Sequence, residues 1–326
     1  MLASLSLDLD NQWSYMKTHG DAGWEALPSY LDIVVPRVLE MLRKRNLTIT
    51  WFIVGQDAAL DKNRAALKRI VEAGHEIGNH SFHHEPWLHL YSEEQIREEF
   101  EKAERAIADA TGAKPIGFRG PGFSLSPTVL KVLKDRGYEY DCSTFPTFLG
   151  PIARWYYFAK SKGLSDEERN KRAQLFGKFR EGFKPLKAYE WPLANGPLTE
   201  IPVTTMPIFK VPIHLSYVLY LAGYSKFIAK SYFKWALRLC KLTGVEPSIL
   251  LHPLDFMGVE DKVGLEFFPA MKQSFEGKCE LAGWMFDQLQ RRFQVVPMRD
   301  HADAVKARAN RAAKPYRIAG KVAGTV

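Results

Sequence analysis

Residues 3–12 read ASLSLDLDNQ, and residues 78–87 read GNHSFHHEPW. In the first stretch Leu5, Leu7 and Leu9 alternate with small or acidic residues, the period of a β-strand. Asp8 and Asp10 stand two apart at its C-terminal end, so an extended backbone projects both carboxylates to the same side. In the second, His80 and His84 flank Ser81, Phe82 and His83 where another apolar run ends. An H-x-x-x-H spacing on a helix or a curled loop can direct two imidazoles at one ion. One of the two carboxylates can bind a metal while the other takes a proton from water, and a third, hard ligand such as Asp10 leaves positions open for water and substrate. Read singly, each feature has a plainer explanation: an acid can cap the next segment, and histidines can be solvated in a loop.

The rest of the chain supplies the scaffold. Strand-length apolar runs recur as LASLSLDLD, TITWFIVG, HEIGNH, PIGFRG, YEYDCS, TEIPVT, PSILLHP and RFQVVP. Helix-period segments lie between several of them, at about 29–45, 63–73, 92–111, 126–136 and 279–292. This alternation predicts an α/β fold, a distorted (β/α) barrel of seven or eight mainly parallel strands. Ser92 and Ser126 are expected to cap helices, and Gly74 and Gly137 to end them. Barrel enzymes gather their chemistry at the C-terminal ends of strands. Asp8, Asp10, His80 and His84 fall there, as do Arg119 in GFRGPGFS, Asp141 in YEYDCSTFP and His252 in LLHPLDF.

Two basic aromatic insertions break the rhythm. Residues 145–191 carry ten bases against five acids between positions 150 and 190. Residues 207–242 hold Lys210, Lys226, Lys230, Lys234, Arg238 and Lys241 and, from Lys210 to Lys241, no acid. Tyr224, Phe227, Ile228, Phe233, Leu237 and Leu239 give this second segment an apolar surface. It reads either as an interfacial helix with snorkelling lysines or as a helix packed on the barrel with a basic solvated face. One domain is expected over residues 1–300, both insertions included, followed by a basic, partly disordered tail at 301–326.

With 326 residues and 46% hydrophobic content the chain can bury a full core. The net charge of +8 suits an anionic membrane or a phosphorylated substrate, and no nucleic-acid-binding module is visible. Cys142, Cys240 and Cys279 form an odd set without C-x-x-C spacing, which suits a reducing compartment. The amino terminus has no basic region followed by a long apolar run, so a cytoplasmic protein is expected, peripheral on the cytoplasmic face of the membrane.

Five motifs, in order across residues 3–256, resemble those of the NodB-homology polysaccharide deacetylases, carbohydrate esterase family four: SLDLDN, HSFHH, RGPGFS, YDCSTFP and LLHP. The resemblance implies Asp8 as general base, His80 and His84 as metal ligands, and His252 as general acid. It also implies that Arg119 holds the charge of Asp8 and that Asp141 tunes His252. The implied cofactor is a divalent ion, zinc first, with cobalt, nickel or manganese as alternatives. The family's first motif has adjacent aspartates, whereas Leu9 separates Asp8 from Asp10 here. D-x-D spacing, together with IPVT at 201–204, is similar to the branch that deformylates formamidoarabinose linked to undecaprenyl phosphate. Asp10 thereby becomes the third ligand. The implied reaction removes acetyl or formyl from an amino sugar, on a lipid-linked or membrane-associated glycan precursor, with backbone N–H groups near Gly122 or Phe123 meeting the oxyanion. The alternatives are a non-carbohydrate amidohydrolase of allantoinase type and a noncatalytic glycan- or lipid-binding module.

Overall fold

The computed structural model describes residues 1–149 and 179–312. Its strands are β1 (Leu2–Leu9), β2 (Thr50–Ile53), β3 (Glu76–Asn79), β4 (Gly117–Phe118), β5 (Tyr140–Asp141), β6 (Tyr189–Trp191), β7 (Leu198–Glu200), β8 (Ser248–Leu251) and β9 (Gln294–Val296). Its helices are α1 (Gln12–His19), α2 (Leu31–Arg43), α3 (Gly55–Ala58), α4 (Asp61–Glu72), α5 (Glu93–Thr111), α6 (Pro127–Asp135), α7 (Leu215–Ala222), α8 (Lys226–Thr243), α9 (Phe275–Gln290) and α10 (Met298–Ala312). The strands form one curled sheet in the order β6-β7-β5-β4-β3-β2-β1-β8, with β9 beside the start of β1. Every pairing is parallel except β6 with β7.

The curl is nearly a closed barrel. Beyond β7 the IPVT stretch donates from Ile201 to Asp141 O, from Val203 to Thr144 O and, across the gap, from Thr204 to Ser248 O at 2.9 Å. The Ser248 N–H returns a bond to Thr204 Oγ1. All eight strand-like runs of the sequence become strands, and the helices sit where the 3.6-residue period puts them. Ser92 forms a capping box with Gln95, and Ser126 caps α6 with Pro127 in its first turn. The short antiparallel β6 was not anticipated, since three residues of mixed burial carry no strand period.

β1 is buried along both faces from Ala3 onward. Ala3, Leu5, Leu7 and Leu9 pack outward into the main core, with Val34, Val38, Leu67 and Leu237 among their cluster. Ser4, Ser6 and Asp8 carry the polar bonds: Ser4 Oγ lies 3.0 Å from His301 Nδ1, while Ser6 and Asp8 both meet Arg119. Helix α10 supplies His301, so residues 301–312, expected as part of a disordered tail, are helix and close one end of the barrel. Most of the first insertion and all of residues 313–326 lie outside the described residues.

Candidate metal and catalytic site

Strand register sets the positions. Leu9, Ile53, Asn79, Phe118, Asp141 and Glu200 stand at one level across neighbouring strands, and Leu7 pairs with Leu251 on the other side. Asp10, His80 and Arg119 each come one residue past that level, and His252 directly follows β8. The scattered motifs of the sequence therefore converge at one rim.

His80 and His84 do not lie on a helix. A turn in which Ser81 and His84 take left-handed backbone angles, φ +61° and +52°, brings their rings together. Glu99 of α5 holds that turn, accepting from the N–H groups of Phe82 and His83 at 2.9 and 2.6 Å and pairing with His83 Nδ1 at 2.7 Å. His83 is thus committed to the scaffold.

Asp10, His80 and His84 place one ligand atom each within 4.8 Å of one another. Both imidazole Nε2 atoms face Asp10 Oδ1, at 3.3 Å from His80 and 3.0 Å from His84, yet this buried oxygen receives no hydrogen bond. The other nitrogen of His80 lies 2.6 Å from Arg119 O; donating there leaves its Nε2 lone pair toward Asp10. Three ligand atoms turned on one another could hold a metal ion, and an Asp/His/His set suits zinc or a similar divalent ion. Burial alone would raise the Asp10 carboxyl, but the two imidazoles outweigh it and hold it well below the usual range. Burial likewise opposes charge on His80, and Asp8 and Asp10 reverse that, raising its pKa.

Asp8 stands beside this cluster, its Oδ2 3.9 Å from His80 Nε2. Its Oδ1 accepts from Arg119 Nη1 at 2.7 Å. Arg119 is fully enclosed, bonds Ser6 Oγ and Cys142 O, and lies 4.5 Å above the Phe52 ring. The loop after it is tight: a Cβ on Gly120 would sit 2.1 Å from Ser124 O. The Phe123 N–H donates to Gly120 O at 2.9 Å within that turn, so it is occupied rather than offered to an oxyanion.

Asp141 is buried near Arg119 but does not partner His252. Its carboxyl accepts from the N–H and Oγ of Ser143 and hydrogen-bonds Glu200. Burial and the Asp141 charge push the Glu200 carboxyl well above its ordinary range. The ring of His252 instead meets Ser216 of α7, and the backbone N–H of His252 donates to Asp255 Oδ2 at 2.9 Å. A file of rings, Phe123 on Phe145 and Phe145 against His214, leads to His252. Burial drives the His214 imidazole down to about 3, which keeps it neutral. Ser216, Asp255, His214, Glu99 and Glu200 were not singled out in the sequence, where they read as ordinary helix, turn and strand residues.

Residues 21–140 match the family model of the polysaccharide deacetylases. That span contains His80, His84 and Arg119 and leaves Asp8, Asp10, Asp141 and His252 outside it. The chain is 30% identical over 112 residues to a peptidoglycan deacetylase of Helicobacter pylori, covering 34% of this chain and 37% of that protein. It is 35% identical over 105 residues to the peptidoglycan-N-acetylmuramic acid deacetylase of Bacillus subtilis, covering 32% and 39%. The matched part is therefore under half the length of either relative. Among solved structures, a provisionally assigned polysaccharide deacetylase from Mycobacterium smegmatis superposes with a TM-score of 0.59 at 17% identity, covering 94% of this chain and 92% of that one. Puue allantoinase gives 0.55 at 17%, covering 97% and 91%. These two likenesses establish the barrel fold.

Proposed function

We propose that this chain, whose residues 21–140 match the polysaccharide deacetylase family model, is a metal-dependent hydrolase that removes an N-acetyl or N-formyl group from an amino sugar. The convergence of Asp10, His80 and His84 on one point, with the Asp8–Arg119 pair beside it, carries this reading. A divalent ion held there supplies Lewis-acid polarisation of the acyl carbonyl and of water. Asp8, held by Arg119 at 2.7 Å, takes a proton as the water oxygen bonds to the acyl carbon. His252 gives its proton to the sugar nitrogen as the carbon–nitrogen bond breaks, leaving a free amine and acetate or formate. The rings of Phe123, Phe145 and His214 offer an apolar wall beside that acid.

The finer substrate assignment rests on the second basic segment. On α8 the residues Phe227, Ile228, Trp235 and Leu242 are exposed, with Tyr224 just ahead of the helix, and Lys234, Arg238 and Lys241 flank them. Apolar anchors ringed by cations fit an anionic bilayer surface. Among the described residues no helix is long and apolar enough to cross a membrane. A peripheral enzyme at the cytoplasmic face, acting on a polyprenyl-phosphate-linked glycan precursor, joins the two features. The D-x-D spacing supports a relation to the formamidoarabinose deformylases, which makes formyl as well as acetyl a candidate leaving group.

The test is metal content and amine release measured together. Purified protein should hold one divalent ion per chain and liberate amine from an N-acylated amino sugar linked to polyprenyl phosphate. Asp10→Ala and His80→Ala/His84→Ala should lose both. Activity on soluble peptidoglycan fragments alone would move the substrate to the cell wall, and a folded protein that binds no ion would end the metal mechanism.

A further inference from the structure

His252 follows β8 with its ring at the mouth, and the residues that hold it come from two other places in the chain. Ser216, in the first turn of α7, has its Oγ 3.1 Å from His252 Nδ1. Asp255 lies three residues beyond His252, is 1% exposed, and accepts the backbone N–H of His252 with Oδ2. Ser216 and His252 are also among the groups that stabilise the Asp255 carboxylate against its burial. Ser216 and Asp255 thus both meet His252, one at the ring and one at the backbone, and a serine hydroxyl can donate to a carboxylate while accepting from an imidazole.

We propose that Asp255, acting through the Ser216 hydroxyl, is the positioning residue that fixes the tautomer and orientation of His252. A carboxylate is an acceptor only, so Ser216 donates to Asp255 and its lone pair is left to receive a proton from Nδ1. Neutral His252 is then held with its proton on Nδ1, and Nε2 is the atom that gains and gives the catalytic proton. When the ring is charged, Asp255 supplies the nearby negative charge. Asp141, the acid the resemblance assigns to this task, is instead committed to Ser143 and Glu200.

Burial raises the Asp255 carboxyl above its ordinary range, and the charged surroundings counter that rise. Lys278 of α9, buried, donates its Nζ to Leu254 O at 2.7 Å, and its charge favours the carboxylate. Burial drives the Lys278 amine down to about 8, still protonated at neutral pH. Tyr15 faces Asp255 from α1 and has its pKa pushed well up by burial first, so it remains a neutral phenol. Asp261, six residues on, is paired with Arg37 at 2.8 Å. His214 approaches from the α7 side and is kept neutral.

This inference rests on the reading of His252 as general acid, and two separate readouts keep them distinguishable. Asp255→Asn keeps the shape and an oxygen for the His252 N–H, but its amide donates to Ser216 and reverses the chain. Nitrogen-15 NMR of histidine-labelled full-length protein should then show neutral His252 moving its proton from Nδ1 to Nε2. Ser216→Ala should leave the two tautomers mixed, and Asp141→Asn should leave the His252 resonances where they were. With an active preparation, Asp255→Asn should lower kcat by at least roughly tenfold at unchanged KM and move the alkaline limb of the kcat profile to lower pH. Ser216→Thr should restore the rate that Ser216→Ala loses. An unmoved tautomer in both Asp255→Asn and Ser216→Ala would overturn the relay. A normal NMR result in a protein that releases no amine would sink the general-acid reading and leave the relay standing.

Discussion

Arg119 serves two groups of the site at once. Its guanidinium holds Asp8 at 2.7 Å, and its backbone oxygen lies 2.6 Å from His80 Nδ1. Because both ions are enclosed, truncating one strands the other. Breaking such a buried pair costs about 3–5 kcal/mol, whereas replacing both partners with apolar or neutral groups often costs far less. Arg119→Met should therefore lower the denaturation midpoint strongly, and the double variant Asp8→Asn/Arg119→Met should recover much of that loss while both abolish turnover. Urea unfolding of the four corners of this cycle checks it; equal destabilisation in the single and double variants would contradict the pairing. Much of this centre is legible in the sequence, because Asp8, Asp10, His80, Arg119 and His252 all follow strand-like runs and a barrel brings such positions to one rim. Ser216, Asp255 and Glu99 are not legible, since each acquires its role only through tertiary contact. Asp141 shows the limit from the other side: it ends β5, where its strand-like run places it, and its partner is Glu200, a strand away.

At the scale of an element, the turn from His80 to His84 is the critical piece. Two non-glycine residues in left-handed conformations carry a backbone cost, and α5 offsets it through Glu99. An outer-shell group of this kind typically affects metal affinity by about 10–100-fold. Glu99→Ala should weaken zinc binding by that order while the far-ultraviolet circular dichroism stays unchanged, measured by competition with a chelating dye. Undiminished affinity would mean that the turn holds itself. Helix α8 illustrates a different relation between pattern and structure. The sequence allowed either packing on the barrel or lying on a membrane, and the structure shows the helix packed on the barrel along one side and exposed along the other. Ala229, Phe233, Ala236, Leu237 and Cys240 are buried, whereas Phe227 is 79% and Trp235 57% exposed. Reversing charge with Lys234→Glu/Arg238→Glu should reduce sedimentation with phosphatidylglycerol vesicles several-fold and leave activity on soluble substrates intact. Vesicle binding unaffected by that change, or absent from the start, would count against a membrane face.

Across the whole molecule, the barrel is lined by polar groups as well as packed by apolar ones. Tyr140 and Thr50 bond Glu76, and the N-terminal amides of α10 close on Thr50 and Glu76. Farther along α10, Arg308 and His301 face Glu246, which also accepts the Leu2 N–H. Two groups make this framework sensitive to acid. Burial pushes the His75 imidazole down to about 4, and its Nδ1 accepts the Ile49 N–H. The unfolded chain therefore binds a proton there, near its ordinary pKa, before the folded one does, and stability falls as pH drops from about 6.5 toward 4. For Glu246, burial alone would raise the pKa, but His301, Arg308 and the Leu2 amide outweigh it and depress it strongly. Its contribution is fully present above the ordinary carboxylate range and is lost as pH falls below about 4.5. Unfolding by denaturant at a series of pH values should thus show two successive losses. His75→Gln, which keeps an acceptor for Ile49, should flatten the upper one, and Glu246→Gln should flatten the lower. If Glu246→Gln flattened neither, the contact between α10 and the start of β1 would not be closing the barrel in solution, and residues 301–312 would behave as the loose tail that their composition suggests.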